Sequence, residues 1–119
     1  MPRSVHLNGI TVIELDPQYG ALDEDALQQL DRLLAELTAG DAVPCLLLDG
    51  SSTRFVDSNF LEVLIRYWKR ISQRGGRLAL CSLSPECREV VQATRLHTLW
   101  PIFPNRQEAL EHLQHLKNR

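Results

Sequence analysis

Apolar positions change their spacing several times along the chain. Val5 to Leu7 and Ile10 to Leu15 read as two strands joined by Asn8-Gly9, a strong hairpin signal. A loop with Pro17 follows, from Asp16 to Gly20. From about Asp23 to Ala39 the spacing becomes helical: Ala26, Leu27, Leu30, Leu33, Leu34 and Leu37 recur at three and four. Asp23, Glu24 and Asp25 fall in that helix's first turn, where acidic groups suit the dipole, and Gly40 ends it.

Cys45-Leu46-Leu47-Leu48 is a continuous apolar run after Pro44, as expected of a strand covered on both faces. It stops at Asp49-Gly50, and a polar stretch leads to a second helix from near Ser58 to about Gln73. Leu61, Leu64, Ile65, Trp68 and Ile71 form its core stripe, and Gly75-Gly76 closes it. Phe60, Val63 and Tyr67 make a second apolar ridge about a quarter turn away. Either this ridge packs under a neighbouring element, or it is a partner-binding surface beside Ser58, edged by Arg66 and Arg70.

Arg77 to Leu83 reads as another strand. Ser84-Pro85 opens a short helix whose inner face is Cys87, Val90, Val91 and Thr94. The stretch holding His97, Leu99 and Trp100 reads as loop. Ile102-Phe103 is a last short strand, and Asn105 caps a final helix with Ala109, Leu110, Leu113 and Leu116 on one face. A hairpin followed by alternating helices and strands predicts an α/β fold. It is one domain over residues 1–119, with a mixed, mostly parallel sheet of four to five strands and four packed helices.

Composition narrows the function. In 119 residues, 44% hydrophobic and 24% charged, there is material for one modest core. A formal charge of −2 argues against duplex nucleic acid as a direct partner. No apolar run is long enough to span a bilayer, and Met1-Pro2-Arg3-Ser4 lacks the apolar core of a signal peptide. Three cysteines, Cys45, Cys81 and Cys87, suit reduced thiols in a cytoplasm.

Catalytic and metal motifs are missing from the sequence. His112 and His115 have no convincing third ligand, the other histidines are scattered, and there is no nucleophile elbow or phosphate-binding glycine loop. The expectation is a non-enzyme without cofactor or metal. The segment that stands out is Phe55-Val56-Asp57-Ser58-Asn59-Phe60, which joins the end of a buried strand to a helix start, a position where function collects in open α/β sheets. Asp57, Ser58 and Asn59 can each cap a helix. Asn59 with Glu62 fits a capping box, which would leave Ser58 just outside the helix.

Taken together, Gly20-Ala21-Leu22-Asp23, Leu46 to Asp49, Phe55 to Ser58, Gly75 to Leu80, Leu83 to Glu86 and Leu96 to Phe103 resemble the STAS domain of bacterial anti-sigma factor antagonists. That resemblance implies a phosphorylatable serine at Ser58, with Asp57 beside it and Asp23 near the partner-facing loop. It also implies a partner-switching pathway: an anti-sigma factor that is also a serine kinase binds the unphosphorylated form, and a phosphatase reverses the mark. Asp23, Asp57, Ser58, Asn59, Phe60, Val63 and Tyr67 are the expected partner-binding residues, in a cytoplasmic monomer or weak dimer. The family usually has Asp-Ser-Ser/Thr-Gly where this chain has Asp57-Ser58-Asn59-Phe60. A phenyl group in place of glycine would narrow which kinase docks, or mark a scaffold-type STAS module that is not switched. A small nucleotide- or ligand-binding domain is the remaining alternative.

Overall fold

Strand pairing starts at the hairpin. β1 (Arg3–Leu7) and β2 (Ile10–Glu14) run antiparallel, with Val5 opposite Val12 and Leu7 opposite Ile10. Gly9, at φ 83°, supplies the left-handed backbone that so tight a connection needs. The structure is a computed structural model and describes residues 3–7, 9–15, 24–40, 43–51, 53 and 58–117.

β3 (Cys45–Asp49) is buried along its whole length, as its unbroken apolar run requires. It lies between β2 and β4 (Arg77–Cys81), parallel to both, and β5 (Ile102–Phe103) adds parallel to β4. The sheet order is β1-β2-β3-β4-β5. The helices are α1 (Glu24–Thr38), α2 (Ser58–Gln73), α3 (Pro85–Ala93) and α4 (Arg106–Lys117). Among the described residues, the five-stranded mixed sheet with four helices is the architecture expected from the element order.

Because side chains alternate along a strand, the sheet separates two cores. Leu46, Leu48, Leu78 and Leu80 pack with α1, α2, Val91 and Trp100 on one face. Cys45, Leu47, Ala79 and Cys81 pack with Ala109 and Leu113 of α4 on the other. Ser84 accepts a hydrogen bond from the Cys87 amide at 3.2 Å, and Asn105 from the Glu108 amide at 2.8 Å, so both caps read from the sequence form.

Several expectations need correction. The ridge of Phe60, Val63 and Tyr67 is a packing face: Phe60 is 1% and Tyr67 3% exposed, and Val63 is half-buried against the same core. α1 lies alongside α2 and covers the ridge. The Tyr67 hydroxyl donates to the Asp31 carboxylate of α1 and lies 3.0 Å from the Asp31 carbonyl, while Arg70 sits over the Tyr67 ring at 5.1 Å. The centre of the buried arc is therefore Phe60, Leu64, Tyr67 and Ile71, with Ile65 and Trp68 at its margin.

Strand β4 ends at Cys81, not Leu83, because Ser82 turns the chain into the left-handed region at φ 60°. Thr94 is the exposed C-cap of α3, its hydroxyl donating back to the Val90 and Val91 carbonyls, so it does not join that helix's inner face. The stretch read as loop contains a 3₁₀ turn, Leu96–Thr98, which seats Trp100 in the core edge-on to Trp68 at 6.4 Å.

None of the three cysteines is in a disulfide, and all three are buried. Burial, reinforced by the Asp49 carboxylate, pushes the Cys81 thiol up to about 11, and burial raises Cys87 as well. An unfolded cysteine ionises near 8.5. Between those values the folded protein keeps a proton that the unfolded chain has released, so stability falls as pH rises through that window. The expected decline from the Cys81 thiol is about 1.4 kcal/mol per pH unit above pH 9. Urea midpoints at pH 7.5 and pH 10 measure it, and Cys81→Ala, though less stable at both, should show a shallower slope.

Candidate functional site

The carboxyl ends of β2, β3 and β4 converge on the chain that leads to Ser58. Leu15 donates its amide to the Asp49 carbonyl at 3.0 Å, and Gly50 donates to the Cys81 carbonyl at 3.0 Å. Gly50 packs closely against the side chain of Leu83: a Cβ would lie 2.9 Å from Leu83 Cδ2, which would have to shift. Thr53, only 2% exposed, is held from three sides. Its amide donates to the Gly50 carbonyl at 3.0 Å, its hydroxyl to the Leu15 carbonyl at 3.4 Å, and its carbonyl accepts from Cys87 Sγ at 3.8 Å. The first half of the connection is therefore fixed to the sheet edge and to α3.

Ser58 emerges as the first residue of α2, so the capping-box reading that left it outside the helix does not hold. Ser58 and Asn59 are exposed, whereas Phe60 and Leu61 are buried at 1% and 4%. These two side chains root the helix start in the core and leave the two preceding residues facing solvent. The phenyl group at the family's glycine position thus points inward, and the expectation that it would screen a docking kinase is corrected. No acidic residue lies in the described first turn of α2. Asp23 and Asp57 lie outside the described residues.

At the end of β3, on the face that α4 covers, is a carboxylate that sequence reading did not single out. Asp49, 5% exposed at the end of the central strand, uses both oxygens. Oδ1 accepts from the Ser51 amide at 2.9 Å; Oδ2 accepts from Arg106 Nε at 2.9 Å and Nη2 at 2.6 Å. Arg106 Nη2 also lies 3.4 Å from Glu14 Oε1. Burial opposes the guanidinium's charge, but the hydrogen bond and charge of Asp49, with Glu14 adding to both, outweigh it and raise the Arg106 pKa above its ordinary value. The one sequence signal for this cluster was a carboxylate closing an apolar strand; nothing local links it to a position 57 residues later.

Among the described residues no group of three or more His, Cys, Asp and Glu could hold a metal ion. His112 instead stacks obliquely on Phe103 at 5.1 Å. Among the same residues no helix is long and apolar enough to cross a membrane. A groove of about 710 Å³ runs along α4, lined by Arg106, Leu110 and Gln114, and the described Ser58 surface does not contribute to it.

Known proteins are similar to this chain in sequence and in fold. The anti-sigma F factor antagonist of Paenibacillus polymyxa is 26% identical over 109 residues, covering 92% of this chain and 91% of that one. The solved structure of an anti-sigma-factor antagonist (STAS) domain protein from Planctomyces limnophilus has 34% identity and a TM-score of 0.87, covering 95% and 97% of the two chains. The phosphorylated form of the Bacillus cell fate determinant SpoIIAA shares the fold at a TM-score of 0.75 and 21% identity, covering 95% and 99%. The STAS domain profile matches residues 1–109, and this chain belongs to the STAS domain family.

Proposed function

We propose that this protein is an anti-sigma factor antagonist whose partner binding is switched by phosphorylation at Ser58. The observation that carries the reading is the exposed hydroxyl-bearing residue at the first position of α2, set on a loop whose base is fastened to the sheet. A phosphoserine brings a charge of about −1.5 to −2. A helix N-terminus, through its amide dipoles, favours such a charge. The effect falls on the partner. A surface complementary to a neutral hydroxyl would have to desolvate a dianion, beside the acidic Asp57 next in sequence.

The partner in this reading is an anti-sigma factor with serine-kinase activity, opposed by a phosphatase. The relative from Paenibacillus polymyxa is named for antagonism of an anti-sigma F factor, and SpoIIAA, which shares the fold, has been solved in phosphorylated and unphosphorylated forms. The protein acts here by binding, in the cytoplasm, without chemistry of its own.

Incubation with the cognate kinase and ATP, followed by peptide mass mapping, is expected to place one phosphate on Ser58. Ser58→Asp is expected to weaken binding to that kinase by about 100-fold, close to 2.8 kcal/mol, while Ser58→Ala binds like the parent. An unmodified Ser58, together with equal binding by Ser58→Asp, would overturn the proposal in favour of a constitutive scaffold module.

A further inference from the structure

We propose that Arg106 is a positioning residue for the Ser58 switch: through Asp49 it sets the take-off of the loop that delivers Ser58, and so ties that loop to α4 on the opposite face of the sheet. The inference rests on the reading of Ser58 as the switch and extends it to a residue far away in sequence.

The Asp49 carboxylate serves both sides of this connection. One oxygen fixes the loop, by accepting the Ser51 amide; the other fixes α4, by accepting two donors of the Arg106 guanidinium. With its side chain 6% exposed, Asp49 has little water to turn to if either partner leaves. The loop start then continues through Gly50 and the buried Thr53, each tied to a different strand end or helix. Loss of Arg106 leaves a buried carboxylate short of two donors, and water entering the space that the partly exposed guanidinium vacates draws the carboxylate toward it, releasing Ser51. Arg106 can take part in this exchange because its own side chain is 35% exposed and borders the α4 groove. The second carboxylate in reach, Glu14, is about a third exposed and offers the guanidinium an alternative partner.

Coupling of this kind is reciprocal. If Arg106 and Ser51 share Asp49, then whatever engages the guanidinium from the α4 side alters the loop, and whatever reorders the loop alters the hold on α4. A purely structural ion pair predicts something else: weakening it would lower global stability and leave the loop no more affected than the rest of the sheet.

Amide exchange by NMR separates the two. In Arg106→Gln, the Ser51 and Thr53 amides are expected to exchange about tenfold faster relative to the Leu47 and Leu64 amides. Asp49→Asn/Arg106→Gln, which removes both charges together, should return most of that difference. A second readout uses Ser58→Cys. The native thiols are buried, so a water-soluble disulfide reagent reports on the introduced thiol, and its labelling rate should change about threefold when Arg106→Gln is added. If Arg106→Gln fails to fold, Arg106→Lys decides: an ammonium cannot present the same pair of donors and should give the same local loosening at about a third of the size.

Uniform acceleration of all four amides, or unchanged Ser51 and Thr53 exchange with an unchanged labelling rate in the Ser58→Cys background, would overturn the proposal. Neither readout involves the kinase. Failure of Ser58 to accept phosphate in the parent would therefore sink the switch reading separately, whatever the exchange data give.

Discussion

Phe60→Gly, which installs the residue usual for the family, is expected to destabilise the domain by about 4–6 kcal/mol. The larger part comes from a buried phenyl ring. At 1% exposure Phe60 is among the largest fully buried side chains, and it packs in the core that joins α1, α2 and the sheet. Removing such a ring costs about 3–5 kcal/mol, because the cavity closes only in part. Glycine in the first turn of a helix adds about 1 kcal/mol in backbone entropy. Against a total of about 5–15 kcal/mol for a domain of this kind, the loss leaves a marginal fold. Urea denaturation followed by far-UV circular dichroism measures it. Phe60→Leu is the control and should lose about 1.5 kcal/mol or less. A Phe60→Gly protein as stable as the parent would mean that the ring does not fill this core.

The second large effect is expected at the turn from α2 into β4. Two adjacent glycines there answer to different constraints. Gly75 has φ 77° and open space around its missing Cβ, so Gly75→Ala meets backbone strain alone, about 1 kcal/mol. Gly76 has no such backbone requirement, but a Cβ would lie 2.3 Å from the Pro44 carbonyl oxygen and 2.7 Å from Ile71 Cγ2. The obstacle is mainly backbone, and that backbone is committed: Gly76 donates to the Ile71 carbonyl at 2.9 Å, and Arg77 to the Pro44 carbonyl at 3.0 Å. Gly76→Ala must spread α2 from β4 or break the first β3–β4 bonds, and is expected to cost about 3 kcal/mol. Thermal unfolding of the two alanine variants side by side tests this order, with Gly76→Ala melting well below Gly75→Ala.

What the sequence revealed and what it concealed follow from the range of the interactions. β3 was legible because a strand covered on both faces leaves an unbroken apolar run, and α1 because its one covered face repeats at three and four. The caps at Ser84 and Asn105 were legible because a cap acts within one turn. Ser58 was legible through the resemblance of its surroundings to a known motif, and its exposure fits the role proposed for it. The fate of Phe60 and Tyr67 was not legible. A ridge beside a helix's core stripe is wet or dry according to what lies next to it, and here that neighbour is α1, whose Asp31 receives the Tyr67 hydroxyl 36 positions away. Arg106 stayed hidden for the same reason: an arginine in the first turn of an ordinary helix carries no local mark of the carboxylate it meets at the end of β3. The early end of β4 turned on a serine with positive φ, a conformation for which Ser82 gives no compositional warning.

The strand order runs β1, β2, β3, β4, β5, each strand laid against the one made before it. A nascent chain leaving the ribosome therefore never has to open an existing pair to admit a later strand. The hairpin offers an edge to β3, and β3 then offers one to β4, so the sheet can grow outward while synthesis continues. The last strand has only two residues, and α4 follows it directly. Interruption of synthesis after β4 would thus leave four neighbouring strands able to pair, lacking the outermost ladder and the α4 cover over one face.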